Sequence, residues 1–165
     1  MPTDFFTLLQ RDHVDLQKEL TRLLDPTATG VQLAGALDGV RLGLTAHAEA
    51  EDIVLGRFEV MSALETLVAQ ARAAHRVQEG ALSALICTRP GTAAWRDRAY
   101  RLRELVHYHA LQEQQYLLPA LKVYAAPEYE ELAGAFATER LRQLAMLQPS
   151  APFTVADAAA EAHAS

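Results

Sequence analysis

Three observations predict an all-α fold, an up-down-up-down antiparallel four-helix bundle with an additional C-terminal helix. In four successive segments the apolar residues recur at alternating steps of three and four, the spacing of one helix face. Gly and Pro are sparse and fall mostly between those segments. No convincing run of alternating β-branched residues suggests a strand. The composition agrees. Ala, Leu, Glu, Arg and Gln, all good helix formers, dominate, and half of the 165 residues are apolar. That is enough for one domain with a real core and too much for a disordered chain.

The elements follow in order. Helix one is expected from about Thr3 to Leu24, with Phe6, Leu9, His13, Leu16, Leu20 and Leu23 on one face and Asp25-Pro26 ending it. A short linker reaches Gly30. Helix two carries Leu33, Leu37, Val40, Leu44, His47, Glu51, Val54 and Phe58 on its seam. Helix three is expected from Ser62, a plausible N-cap with Glu65 three residues on. Its seam reads Leu64, Val68, Ala71, His75, Gln78, Leu82, Leu85. Arg89-Pro90-Gly91 breaks the chain and Thr92 is the next N-cap. Helix four carries Trp95, Ala99, Leu102, Val106, His109, Glu113, Tyr116 and Ala120, with Pro119 expected to kink or end it. Pro127-Glu128 reads as a fresh start for an added helix over about 127–147, with Leu132, Phe136, Leu141 and Leu144 on its face. Short links and three-four seams suit an antiparallel bundle, with its core at 4–121 and the whole domain at 1–147. Residues 148–165, with Pro149 and Pro152, form a tail, either mobile or docking a short helix after Thr154.

A net charge of -6 argues against nucleic-acid binding, which needs a basic face. Cys87 is the sole cysteine, so no intramolecular disulfide and no cysteine-based metal site is expected. The segment Met1-Pro2-Thr3-Asp4-Phe5-Phe6 lacks a basic region followed by an apolar stretch, and no segment is long and apolar enough to span a bilayer. The expectation is a soluble cytoplasmic protein with neither membrane nor nucleic acid as a partner.

The chemistry lies in polar residues where Leu or Val would normally sit. They are His13, His47 with Glu51, His75, and His109 with Glu113. Each His-x-x-x-Glu pair puts both side chains on one face, one turn apart. His13 and His75, His47 and His109, and Glu51 and Glu113 are each 62 residues apart. The same offset aligns Leu20 with Leu82, Leu23 with Leu85, Arg41 with Arg103 and Leu55 with Leu117. One gapless offset over two helices and a linker indicates a duplicated helical hairpin. Each half then offers two histidines and a glutamate.

Buried carboxylates and imidazoles cost several kcal/mol per uncompensated ion, roughly, and a divalent or trivalent metal removes that cost. Mixed nitrogen and oxygen donors suit iron, zinc or manganese better than calcium. Two carboxylates from facing helices can each bridge two ions, with the four histidines capping the pair. A lone core histidine is more often structural than a ligand. Six metal-competent residues at one repeat offset outweigh that reading. Glu79, four residues after His75, has the spacing of a seventh ligand. Its repeat partner is Gln17 and it falls one step off the seam, so ligation and a solvated helix face both stay open. His107 is turned away from the His109 face, and His163 lies in the tail. Tyr116 sits one turn beyond Glu113, where it reads as a core aromatic or as a hydrogen-bond partner of a ligand. Asp12, Asp52 and Gln114 are neighbours of ligands in sequence and carry no assigned role.

These residues resemble the hemerythrin and HHE cation-binding domain family over roughly residues 4–121. The matching segments are Arg11-Asp12-His13, His47-Ala48-Glu49-Ala50-Glu51-Asp52-Ile53-Val54-Leu55, Ala73-Ala74-His75, and His109 through Glu113 to Leu117-Leu118-Pro119. The resemblance implies a four-helix bundle with two iron ions, bridged by the two carboxylates and an oxo or hydroxo oxygen. His13, His47, Glu51, His75, His109 and Glu113 map onto ligand positions. The oxygen carriers of the family have His-x-x-x-His on the third helix, where this chain has Glu79. On the fourth they have His-x-x-x-x-Asp, where it has Glu113 at four and Gln114 at five. One histidine fewer argues against classical reversible oxygen carriage.

The reading is therefore a non-heme di-iron protein that binds or senses oxygen, nitric oxide or a related small ligand. A peroxide-handling di-iron enzyme is the first alternative. A bundle held shut by metal, zinc included, that binds a protein partner is the second. The His-x-x-x-Glu order differs from the Glu-x-x-His of ferritin-like di-iron enzymes, which disfavours that group.

Overall fold

The computed structural model describes residues 3–148, which are helical throughout apart from short links, with no strand among them. The tail from Pro149, with its expected mobility or short helix and His163, lies outside the described residues.

Helix α1 spans Phe5–Arg22, and the Asp4 side chain accepts from the Thr7 amide at its start. Helix α2 spans Gly30–Leu55 behind a full capping box, in which the Thr29 hydroxyl accepts from the Gln32 amide and the Gln32 side chain accepts from the Thr29 amide. A 3₁₀ turn at Gly56–Phe58 leads towards α3, Glu65–Ile86. The expected Ser62 cap is not used. Leu64 occupies the cap position, and the Met61 carbonyl accepts from both the Leu64 and Glu65 amides. Leu64 is fully buried, so packing of the tight turn fixes where the helix starts. Helix α4, Ala93–Gln112, begins at Thr92 as expected, the hydroxyl accepting from the Trp95 amide.

Pro119 neither ends nor breaks this rod. Residues Glu113–Leu117 widen into a π-helical turn, closed by the Leu118 amide donating to the Glu113 carbonyl. The chain then continues as α5, Leu118–Tyr124. The wide turn absorbs a proline that would otherwise collide with the preceding turn. It also shifts the buried face by one residue. Leu117 and Leu121 are buried, whereas Tyr116 is 54% exposed, which removes it as a core aromatic.

Helix α6, Ala126–Leu147, is the added helix, with Pro127 in its first turn where the missing N–H costs nothing. It packs mainly against α2 and also against α1. Leu132 and Phe136 are buried as expected, but Leu141 is 67% exposed and Gln143 takes the inner position. Helix α1 packs on α2 and α4, and α3 packs on the same two, so the four seams face one another. Gly43 lets α1 and α2 close up, since a Cβ there would lie 3.1 Å from Leu16.

The apolar core is in two parts. One gathers Leu9, Val54, Phe58, Leu121, Leu132 and Phe136, and the other Leu16, Leu44, Leu82, Trp95, Leu102 and Val106. Along α1, Leu9 belongs to the first and Leu16 to the second, with His13 between them. The polar layer sits at this junction.

Candidate metal centre

His13, His47, Glu51, His75, His109 and Glu113 are all buried and come together in that layer. Their arrangement repeats across the two halves. His13 and His47 approach with their Nε2 atoms 3.1 Å apart, and His75 and His109 with theirs 2.9 Å apart. The ring centres lie 4.7 Å and 4.6 Å apart within these pairs, and 6.2–6.3 Å apart between them. The carboxylates lie between the pairs. Glu51 Oε2 is 3.4 Å from His47 Nε2 and 3.9 Å from His75 Nε2. Glu113 Oε2 is 3.2 Å from His13 Nε2, while its Oε1 is 3.1 Å from His109 Nε2. Each glutamate thus faces one histidine on its own helix and one on another. The donor atoms form two groups that could hold an ion, one of His13, His47 and Glu51, the other of Glu51, His75, His109 and Glu113. Glu51 belongs to both.

Hydrogen bonding behind the rings fixes which nitrogens face the centre. His47 Nδ1 lies 2.8 Å from Asp12 and His75 Nδ1 lies 2.7 Å from Asp52. An ionised carboxylate can only accept, so each Nδ1 carries a proton and each Nε2 is left facing the centre. Burial pushes the pKa of His47 down to about 4, with Asp12 only partly offsetting it, so the ring is neutral and able to ligate.

The carboxylates make the same demand. None of the four oxygens of Glu51 and Glu113 has a hydrogen-bond partner of good geometry among the described residues. Burial, and then the charge of Glu113, drive Glu51 well above the usual carboxylate range. Burial opposes ionisation of Glu113 too, but His109, Glu51 and His13 around it hold it well below that range. Buried acceptors cost about 1–3 kcal/mol each when left unsatisfied. Carboxylate oxygens beside imidazole nitrogens are a donor set that fits a first-row cation.

Glu79 does not join this set. It is exposed and outside both donor groups, while its neighbour Gln78 is buried with no partner for either amide atom among the described residues. Helix geometry turns Glu79 off the inner face, as the seam spacing allowed. His107 is likewise exposed. Asp12 and Asp52, which had no assigned role, support His47 and His75 across helices rather than their own sequence neighbours. Arg140, bound to Asp12, and Phe136, whose ring meets His47 edge-on with centres 5.7 Å apart, come from α6. Nothing in their local sequence signals this, because the docking of α6 has no motif.

The family model of the hemerythrin HHE cation-binding domain matches residues 4–121. The chain belongs to this hemerythrin family. The matched segment contains all six converging residues and ends before α6 begins. No curated protein and no solved structure matches the chain. Among the described residues, no helix of this hemerythrin-like chain is long and apolar enough to cross a membrane.

Proposed function

We propose that the chain holds two iron ions in an up-down-up-down antiparallel four-helix bundle and binds or senses oxygen, nitric oxide or a related small ligand there. The observation that carries the reading is the pair of fully buried glutamates, whose four carboxylate oxygens have no hydrogen-bond partner of good geometry among the described residues, each side chain reaching an imidazole of either half. His13 and His47 would hold one ion, His75 and His109 the other, and Glu51 and Glu113 would span both. When bound, the iron pair supplies an open coordination position and electrons for a small ligand. Neutral nitrogen donors favour moderate potentials over strongly oxidising states.

The chain's own residues do the rest. Asp12 and Asp52 orient His47 and His75 and keep their Nε2 atoms inward. The two core clusters exclude bulk water on either side. A groove of about 610 Å³ between α1 and α4, lined largely by apolar groups such as Leu9, Val14, Leu111 and Leu118, reaches His13. A second hollow of about 290 Å³ touches His109 and Glu113. An apolar approach admits a small uncharged molecule more readily than an ion.

The test is anaerobic loading of the full chain with ferrous iron, followed by oxygen or nitric oxide. Two irons per chain and near-ultraviolet charge-transfer bands on exposure are expected. Two irons with no spectral response to either gas would contradict the sensing reading and leave the metal a structural role. Turnover of peroxide above that of free iron would favour the enzyme instead.

A further inference from the structure

We propose that Arg140, on the helix beyond the family domain, is a positioning residue that makes the His13–His47 end of the metal site depend on α6. The inference rests on the two-ion reading above and concerns a residue which that reading does not need.

Arg140 grips Asp12 with both prongs. Its Nε donates to Asp12 Oδ2 at 2.8 Å and its Nη2 lies 2.7 Å from Oδ1. Such a two-point contact fixes the plane of a carboxylate as well as its place. The same Oδ2 accepts from His47 Nδ1 at 2.8 Å. The ring of His47 is therefore set by a chain that runs from α6 through α1 to α2. Asp12 is only 8% exposed. Without Arg140 it would be a nearly buried anion supported by one neutral ring, and its orientation, with that of His47, would be free to change.

The other half has no such device. The repeat offset that carries His47 to His109 carries Asp12 to Ala74, which offers no carboxylate. His75 has Asp52, but the Asp52 carboxylate bonds to His75 alone among the described residues, and Arg72 reaches only its backbone carbonyl. One end of the site is thus braced from outside the duplicated hairpins, and the other stands within them. Phe136, four residues before Arg140 on the same helix, meets the His47 ring edge-on, so α6 touches this end twice.

The test measures stepwise ferrous-iron affinities of the full chain against a competing chelator under anaerobic conditions. Arg140→Ala should weaken one of the two steps by up to about 10-fold, the low end of the range for groups that support a metal ligand since it acts through Asp12, and leave the other unchanged. Arg140→Lys, which keeps the charge but not the two-point grip, should recover part of the loss. In an Asp12→Asn background, where the paired anion is already gone, Arg140→Ala should change nothing further, since its route runs through that carboxylate. Unchanged affinities in Arg140→Ala would overturn the proposal. So would an equal further loss in the Asp12→Asn background, which is the mark of general loosening of α6. Should Arg140→Ala fail to fold, Arg140→Gln and Arg140→Lys carry the same comparison. If the unaltered chain takes up no iron, the two-ion reading itself fails. If it takes up two and the variants match it, only the role of Arg140 does.

Discussion

His47 and His109 occupy equivalent places in the duplicated hairpin, each four residues before a buried glutamate and each with its Nε2 within about 3 Å of a partner histidine. Behind His47 stands Asp12, clamped by Arg140. At the corresponding place behind His109 stands Ala74. The two halves match where atoms face the centre and diverge one layer out. The inner match is one donor set repeated, two imidazoles and a carboxylate in each half. The outer layer answers to packing, and α6 lies mainly against the first half.

The largest effects should come from the matched layer. Loss of His47 or His109 by substitution with Ala should each lower iron content severely, beyond the roughly 100-fold affinity change that an outer residue commands, and to similar extents because the halves correspond. Metal analysis of purified variants checks this. Strongly unequal losses would break the correspondence between the halves.

The second effect is on pH. In the metal-free protein His47 has its pKa depressed to about 4 from an ordinary 6.5. The unfolded chain therefore takes up this proton first as pH falls. Stability from this group is intact above about 6.5, declines between 6.5 and 4, and changes no further below. The loss is on the order of 3 kcal/mol. Urea denaturation of the metal-free chain across that window should show the decline, and a His47→Ala variant should show less of it. Equal slopes in the two proteins would contradict the assignment.

Smaller again are the outer carboxylates. Asp12→Asn and Asp52→Asn should each weaken iron binding by about 10–100-fold. The Asp12 change should be the more severe, since it also strips Arg140 of its partner in a more buried place. The reverse order would show that the bracing from α6 counts for little. The smallest effect is expected for Glu79→Ala. Its side chain is exposed and outside the cluster, so metal content should match the unaltered chain and stability should shift by less than about 0.5 kcal/mol. Loss of an ion in that variant would restore Glu79 as a ligand.

Much of this was legible in the order of residues because seams and repeats are periodic. Every residue of the seam from Leu64 to Leu85 is buried, and the 62-residue offset reappears as paired imidazoles in both halves. The features that were not legible break periodicity or depend on docking. The π turn at Glu113–Leu117 inserts an extra residue per turn, so a seam extended by threes and fours picks Tyr116 and Ala120 where Leu117 and Leu121 are buried. The start of α3 at Glu65 is set by burial of Leu64, and a side-chain cap at Ser62 was the wrong guide. Asp12 and Asp52 each adjoin a ligand in sequence, yet serve a different one across the bundle. Leu141 falls on the expected face of α6 yet is exposed, while Gln143 is buried, because the docking of that helix has no motif to set its inner face.

The most direct measurement is the number of irons held per chain after anaerobic loading and removal of loosely bound metal, compared between the unaltered protein and Glu51→Ala. Glu51 is the residue common to both donor groups. Two irons in the former and none tightly held in the latter is the predicted result. Two irons retained without Glu51, or none in the unaltered chain, would contradict a shared centre built on the buried glutamates.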